Sequence, residues 1–138
     1  GFFYPDEIDV AVELVEERLA KGLKSGYHFL FAEREGKVVG YACHGPIACT
    51  KSSFDLYWIV VHDQARGRGL GRQIIAEAEK RIAGLGGKNV YAETSGREQY
   101  ASTRRFYLSC GYKEEARLRD FYDKDDAKIV YVKAATAE

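Results

Sequence analysis

The sequence carries no net charge, because 21 basic residues balance 21 acidic ones. A neutral chain has no overall field that would attract a nucleic acid or an anionic membrane. It also has no apolar run near the roughly 18 residues of a membrane helix, and no segment patterned like a secretory signal. We therefore expect a cytoplasmic protein with no nucleic-acid and no membrane partner.

Metal and disulfide signals are also missing. The three cysteines are an odd number, have no CxxC spacing and so predict neither a disulfide framework nor a zinc site; they are Cys43, Cys49 and Cys110. The three histidines are scattered without the spacing of metal ligands, at His28, His44 and His62. We expect reduced thiols, uninvolved histidines and no metal.

The chain is long enough for one domain with one core, and we assign residues 1–138 to it. Apolar spacing and turn residues predict helices over 6–23, from about 70 to 84, and from about 98 to 110. The predicted strands are 27–32, 38–43, 54–61, 89–94, 112–121 and 127–133. Hairpins mixed with strand–helix–strand crossovers predict an α+β (mixed α/β) fold, in which helices cover both faces of a mixed sheet.

The most unusual stretch is QARGRGLGR, residues 64–72, which lies between the 54–61 strand and a helix. The first N–H groups of a helix lack intrahelical partners, and glycines let an anion approach them closely. The spacing is neither that of a nucleoside-triphosphate loop nor that of a dinucleotide site. A small anionic ligand fits the stretch best, and a flexible turn with solvated arginines is the alternative.

Within that stretch, Gln64-Ala65-Arg66-Gly67-Arg68-Gly69 resembles the Q/R-x-x-G-x-G/A signature of the GNAT superfamily of N-acetyltransferases. Farther on, Arg105-Phe106-Tyr107-Leu108-Ser109-Cys110-Gly111-Tyr112 resembles the second signature, an aromatic-Tyr-x-x-x-Gly-aromatic helix end. The order of elements is also similar along nearly the whole chain. The resemblance implies a GNAT-like, mostly antiparallel sheet whose first strand is missing or truncated here.

The resemblance further implies acetyl-coenzyme A (acetyl-CoA) as co-substrate, with its pyrophosphate on the glycine turn and its thioester against the 54–61 strand. The implied cofactor-binding residues are Ile59, Val60, Val61, Arg66, Gly67, Arg68, Gly69, Leu70, Gly71, Arg72, Ser102 and Thr103. Ser102 or Thr103 would replace an asparagine that relatives often have where this chain has Tyr100.

Two residues are the catalytic candidates. By the resemblance, Tyr107 donates a proton to the departing sulfur, and the Val61 N–H meets the acetyl oxygen. Asp55 is a lone charge in an apolar strand, which alternation places on the same face as Val61; some relatives carry a basic carboxylate on this strand. Packing is the alternative role for Tyr107, and an edge charge for Asp55. Glu93, Tyr57 or water are the other candidates for the base.

These features predict an acetyl-CoA-dependent N-acetyltransferase acting by direct transfer to a primary amine in a ternary complex. The alternative is a non-catalytic acyl-CoA-binding regulatory module. The acceptor, a small molecule or a protein amine, stays open, and so does a homodimer. Acidic residues at the last hairpin could attract a cationic amine, but we expect a solvated turn there; they are Asp120, Asp123, Asp125 and Asp126.

Overall fold

The computed structural model describes residues 27–62 and 69–135. They form six strands, two α-helices and a 3₁₀ turn, in the order β1 His28–Arg34, β2 Lys37–Pro46, β3 Ser53–Val61, α1 Leu70–Gly84, β4 Asn89–Ser95, the 3₁₀ turn Glu98–Tyr100, α2 Ala101–Ser109, β5 Lys113–Asp123 and β6 Asp126–Ala134. Every strand predicted from the sequence and the last two predicted helices are confirmed. The helix predicted over 6–23 lies outside the described residues.

The six strands form a single mixed sheet in the order β1-β2-β3-β4-β6-β5. Only β3 and β4 pair in parallel; the other neighbouring strands are antiparallel. The parallel pair is joined by α1, as a crossover between parallel strands requires. The prediction of a mixed, mostly antiparallel sheet is therefore confirmed.

Both described helices pack on one face of this sheet. A Cβ atom on Gly87 would meet Ile82 of α1 and Phe54 of β3, and one on Gly40 of β2 would meet Ile74 of α1. On α2, the Tyr107 ring stacks on Tyr131 of β6 at 5.8 Å between ring centroids. One apolar core under α1 and α2 therefore spans both halves of the sheet.

A β-bulge in β3 changes which side chains share that face. Cys43 pairs with Trp58 whereas His44 pairs with Leu56, so Tyr57 is the extra residue between them. A Cβ atom on Gly71 of α1 would lie 3.7 Å from Val61, so Val61 faces the helices, as Phe54 does. Strict alternation would separate these two, which lie an odd number of positions apart. The expectation that Asp55 shares a face with Val61 is wrong, because the bulge restarts the alternation.

The end of α2 is fixed by its cap. Gly111 has a positive φ of 94°, its N–H bonds Leu108 O, and the Tyr112 N–H bonds Tyr107 O. These are the two hydrogen bonds of a Schellman motif, in which glycine avoids the cost of a left-handed conformation. The motif brings the rings of Tyr107 and Tyr112 to 5.5 Å. The prediction that Gly111 ends this helix is confirmed.

A candidate active site where two strands separate

The site is built at the point where β3 and β4 stop pairing. Their register runs from Ser53 and Asn89 to Leu56 and Ala92 and ends there. Beyond it, β3 stays paired with β2 as far as Val61, and β4 stays paired with β6 as far as Ser95. The sheet therefore opens between its two halves while each half keeps its own hydrogen bonds.

A cavity of about 780 Å³ fills this opening. Asp55 to Val61 of β3 line one wall and Glu93 to Ser95 of β4 the other. The starts of both helices and the tip of the β5–β6 hairpin complete it, with Gly69, Arg72, Thr103, Tyr107 and Tyr122 among the lining residues. Because Tyr107 lies on the helix-covered face and Asp55 on the opposite one, the cavity passes through the sheet.

On the helix-covered face, the cavity meets the first turn of α1. Gly69 precedes this helix with a positive φ of 74°, and a Cβ atom placed there would meet nothing within 4 Å. The first turn contains no acidic residue, and its N–H groups point out of the helix start. Arg72 also lines the cavity, and its guanidinium donates to Ser109 O at the end of α2 (3.2 Å). This corner can hold an anion.

The cavity brings together most of the residues predicted to bind the cofactor. Those in its lining are Ile59, Val60, Val61, Gly69, Leu70, Gly71, Arg72, Ser102 and Thr103. The other three, Arg66, Gly67 and Arg68, lie outside the described residues. Tyr100, which stands where relatives often have asparagine, is buried and also lines the cavity.

On the opposite face, Asp55 and Glu93 both line the cavity. Burial of Asp55, with the nearby Glu93 carboxylate, raises the pKa of Asp55 to about 6, although Lys128 acts to lower it. Burial and the Asp55 charge also raise the pKa of the Tyr57 hydroxyl, to about 12. Asp55 is therefore a carboxylate at neutral pH that still binds a proton more readily than an exposed aspartate does.

Tyr107 lies where the cavity meets the core. Its side chain is 3% exposed and packs among the rings of Phe106, Tyr112 and Tyr131. Burial, reinforced by Cys110 and Tyr131, raises the pKa of its hydroxyl above the ordinary value. Tyr107 therefore keeps its proton at neutral pH and remains a hydrogen-bond donor. The ring of Tyr107 is packed like that of a core residue, and the same side chain also lines the cavity.

A buried hydrogen-bond network connects α1 to the end of α2. Glu79 of α1 is 7% exposed and accepts hydrogen bonds from the Tyr112 hydroxyl (2.9 Å) and from Lys133 Nζ (3.0 Å). Lys133 Nζ also donates to Cys110 O (2.8 Å). A buried carboxylate needs such partners. This hydrogen-bond network therefore holds α1 and the end of α2 against β6.

Several residues that line the cavity were not predicted from the sequence. Trp58, Thr94, Ser95, Phe106 and Tyr122 all contribute to the cavity. Phe106 adjoins Tyr107 in the second motif, which could have pointed to it. Tyr122 lies at a hairpin tip far along the chain, and no local pattern links it to β3.

One expectation at that hairpin is wrong. Asp126 is 2% exposed rather than solvated. It accepts a short hydrogen bond from the Ser95 hydroxyl, and its carboxylate lies 3.4 Å from Arg97 Nε. By contrast, Asp120 and Asp123 are exposed near the end of β5, where each accepts a hydrogen bond from a nearby backbone N–H.

The cysteines and histidines form no further centre in the described part of the chain, where no group of three potential metal ligands comes together. Cys43, Cys49 and Cys110 are free thiols. His44 is buried, and burial together with His28 and Arg81 lowers its pKa to about 4. No helix within 27–62 or 69–135 is long and apolar enough to cross a membrane.

Comparison with known proteins adds the family. The sequence matches the family model of the acetyltransferase (GNAT) domain over residues 25–114. It is also 46% identical to a protein of Desulfovibrio desulfuricans assigned to the GNAT family, whose crystal structure superimposes with a TM-score of 0.95. That match covers 99% of this chain and 86% of the other. The chain belongs to the GNAT family of acetyltransferases.

Other acetyltransferase structures share the fold at lower identity. An aminoglycoside 6'-N-acetyltransferase complexed with coenzyme A is 21% identical, with a TM-score of 0.77 over 94% of this chain and 82% of that one. A ribosomal-protein-alanine N-acetyltransferase from Brucella melitensis is 26% identical, with a TM-score of 0.72 over 91% and 77% of the two chains. The comparison with curated proteins found no match. The membership and fold expected from the two motifs are confirmed.

Proposed function

We propose that the protein is an acetyl-CoA-dependent N-acetyltransferase that moves an acetyl group directly to a primary amine within a ternary complex. One observation carries the proposal. The cavity between β3 and β4 passes through the sheet, from the start of α1 on one face to Asp55 and Glu93 on the other. Two substrates entering from opposite faces could meet there without a covalent enzyme intermediate.

The helix-covered half suits the anionic, extended coenzyme. The space beside Gly69, the first turn of α1 without acidic residues and Arg72 together offer N–H groups and positive charge to a pyrophosphate. Acetyltransferases of the same fold have been solved in complex with coenzyme A and with acetyl coenzyme A. When bound, acetyl-CoA supplies the acetyl group as an activated thioester.

The opposite half suits the amine. An amine arrives mostly as ammonium and must lose a proton before its nitrogen can attack a carbonyl carbon. Asp55, with its pKa raised to about 6, is ionised at neutral pH and can accept that proton, directly or through a water molecule. Asp55 is thus the proposed base.

Tyr107 is the proposed acid. As the carbon–sulfur bond breaks, the sulfur gains negative charge and needs a proton or a hydrogen-bond donor. Tyr107 keeps its hydroxyl proton because its pKa is raised, and it lines the cavity between the two helices and β3. The nitrogen loses two protons in all: one passes from the ammonium to Asp55 before attack, and one leaves the tetrahedral intermediate. Tyr107 gives its proton to sulfur and regains one, through water, from that intermediate. Asp55 then releases its proton to solvent, so each transfer frees one proton.

Three measurements test the proposal. Calorimetry with acetyl-CoA should show binding, and a thiol-reactive dye should detect coenzyme A release when a panel of primary amines is added. Mass spectrometry of the acceptor should then show one added acetyl group. Binding without transfer to any amine would favour the alternative, an acyl-CoA-binding regulatory module. The close packing of Tyr107 is consistent with that alternative. Failure to bind acetyl-CoA would refute both.

A further inference from the structure

The charges and aromatic rings of the acceptor half of the cavity restrict what can bind there. We propose that the acceptor is a monocationic amine on an aromatic body, and that Glu93, held by Lys128, excludes acceptors with a carboxylate beside the amine. The inference rests on the proposed N-acetyl transfer and adds to it the chemical class of the acceptor.

The position of Glu93 follows from the register of the parallel strands. Asp55 of β3 pairs with Tyr91 of β4. Glu93 is two residues beyond Tyr91, so its side chain lies on the same face as Asp55, diagonally across from it. This diagonal falls just where the strands begin to separate, and both carboxylates line the cavity. An acceptor that reaches Asp55 must therefore pass close to Glu93.

Among residues 27–62 and 69–135, the ionised groups in this half leave one negative charge unbalanced. Lys128 Nζ lies 3.1 Å from Glu93 Oε1 and forms an ion pair with it. The charged neighbours that shift the pKa of Asp55 are Glu93, which raises it, and Lys128, which lowers it. Two carboxylates and one ammonium leave a net charge of about minus one, which a single ammonium would neutralise. A carboxylate on the acceptor would restore the imbalance.

Lys128 is poorly placed to bind a carboxylate of the acceptor. Its ammonium pairs with Glu93 and also lies 4.4 Å from the centre of the Phe121 ring. Its side chain is only 18% exposed. To bind a second carboxylate, Lys128 would have to give up Glu93, which would then face the acceptor unpaired. Lys128 therefore supports Glu93 rather than acting as an anion site.

Aromatic rings also contribute to the walls of the cavity. Tyr57, Trp58 and Tyr122 line the cavity, and the Tyr57 ring is held edge-on by Tyr27 at 5.5 Å. Aromatic faces attract both a cation and the edge of another ring. An ammonium on a short stem that ends in an aromatic ring would use the carboxylates and the rings together.

Three matched acceptors test this chemistry: phenethylamine, phenylalaninamide and phenylalanine. The last two have the same shape and differ in a neutral amide against a carboxylate. Rates of coenzyme A release should be measured for each over a range of concentrations. We expect transfer to the amine and to the amide, and a kcat/KM at least about tenfold lower for the acid because of like-charge repulsion.

Two variants move this discrimination in opposite directions. Glu93→Gln leaves Asp55 and Lys128 to cancel, so the amide-to-acid ratio of kcat/KM should fall. Lys128→Met leaves two unbalanced carboxylates, so the ratio should rise and the acidic limb of the rate profile should move to higher pH. Comparing ratios between variants cancels differences in the intrinsic reactivity of the amines. Glu77→Gln, which breaks the exposed Glu77–Arg81 pair on α1 away from the cavity, is the control and should change nothing.

The outcomes separate the inference from the function it rests on. Equal use of acid and amide, an unchanged ratio in Glu93→Gln, or transfer to none of the three acceptors would overturn the inference about the acceptor. If other amines are still acetylated, the proposed function survives that result. Absence of acetyl-CoA binding, or of transfer to any amine in the wider panel, would instead refute the function.

Discussion

The paired and the separated parts of β3 and β4 differ in chemistry although they belong to the same two strands. In the paired part, Phe54, Leu56, Val90 and Ala92 are buried in the core beneath α1. The cavity begins at Asp55 and Leu56, the last paired residues of β3, and beyond them the two strands part and line it with Glu93 and aromatic rings. Pairing thus supplies the rigidity, and its interruption supplies the site. The two parts should respond differently to substitution, and the experiments below use that difference.

The largest effect is expected at the start of the opening. Asp55→Asn should lower kcat by on the order of 10²–10⁴-fold, as removal of a positioned base does. In the unchanged protein, activity should fall as the pH drops through about 6, where Asp55 becomes protonated. The measurement is the rate profile of both proteins against pH. Equal rates at every pH would assign the base to Glu93 or to water.

The same variant has an opposite effect on stability. The folded pKa of Asp55, about 6, lies above its ordinary value of 3.8. The folded state then binds more protons than the unfolded one between these values, so stability falls as the pH rises through this window. Asp55→Asn removes that cost. Its melting temperature should exceed that of the unchanged protein at pH 8 and match it near pH 3. A loss of stability at pH 8 would contradict the assignment.

The next effect breaks the paired part. Phe54→Ala should lower the free energy of unfolding by about 3–5 kcal/mol, because Phe54 is 7% exposed, does not line the cavity of the site, and leaves a void in the core when it is truncated. Ile59→Ala is the matched substitution in the separated part of β3, where the side chain is only partly buried and lines the cavity. It should cost less stability and more acetyl-CoA affinity. Denaturant unfolding measures the stability of both variants, and calorimetry measures their acetyl-CoA affinity. Equal losses of stability and of affinity in the two variants would contradict the contrast.

A smaller effect is expected at the helix start. Gly69→Asp should weaken acetyl-CoA binding by about 1.5–3 kcal/mol, the value of a contact with a charged group. The control is Gly86→Asp, because Gly86 also has a positive φ and open space at its Cβ position but does not line the cavity. Aspartate tolerates this backbone conformation better than most residues, so both variants should fold. Calorimetry should show weaker acetyl-CoA binding for Gly69→Asp alone. Equal losses of affinity in both variants would contradict an anion site at the start of α1.

The smallest effect concerns the hydroxyl of Tyr107. Tyr107→Phe keeps the ring among its neighbours, so stability and acetyl-CoA affinity should change little. We expect kcat to fall about 5- to 10-fold, the effect of one hydrogen bond of roughly 1–1.5 kcal/mol. An equal fall in kcat and kcat/KM would mark a contact made in the transition state. A lower melting temperature with normal turnover would assign Tyr107 to packing.

The sequence predicted the strands and their order because turn residues and apolar runs are local signals. It also located Gly111 as a helix end. The resemblance to the GNAT family pointed to nine cofactor-binding candidates that line the cavity, and both catalytic candidates, Asp55 and Tyr107, line it as well. The face of Asp55 was missed because the bulge at Tyr57 depends on how β2 pairs with β3. The buried role of Asp126 was missed for a related reason, since its partners Ser95 and Arg97 are distant in sequence.

The aromatic wall has a practical consequence for spectroscopy. Trp58 is the only tryptophan of the chain, and it lines the cavity beside Tyr57, whose ring centroid is 6.2 Å away. Tryptophan fluorescence of this protein therefore comes from a single indole whose surroundings change when the cavity fills. Binding of coenzyme and of acceptor could each be followed as a change in emission, without a label and in the same sample used for kinetics. The protein thus contains its own optical probe at the place where its two proposed substrates meet.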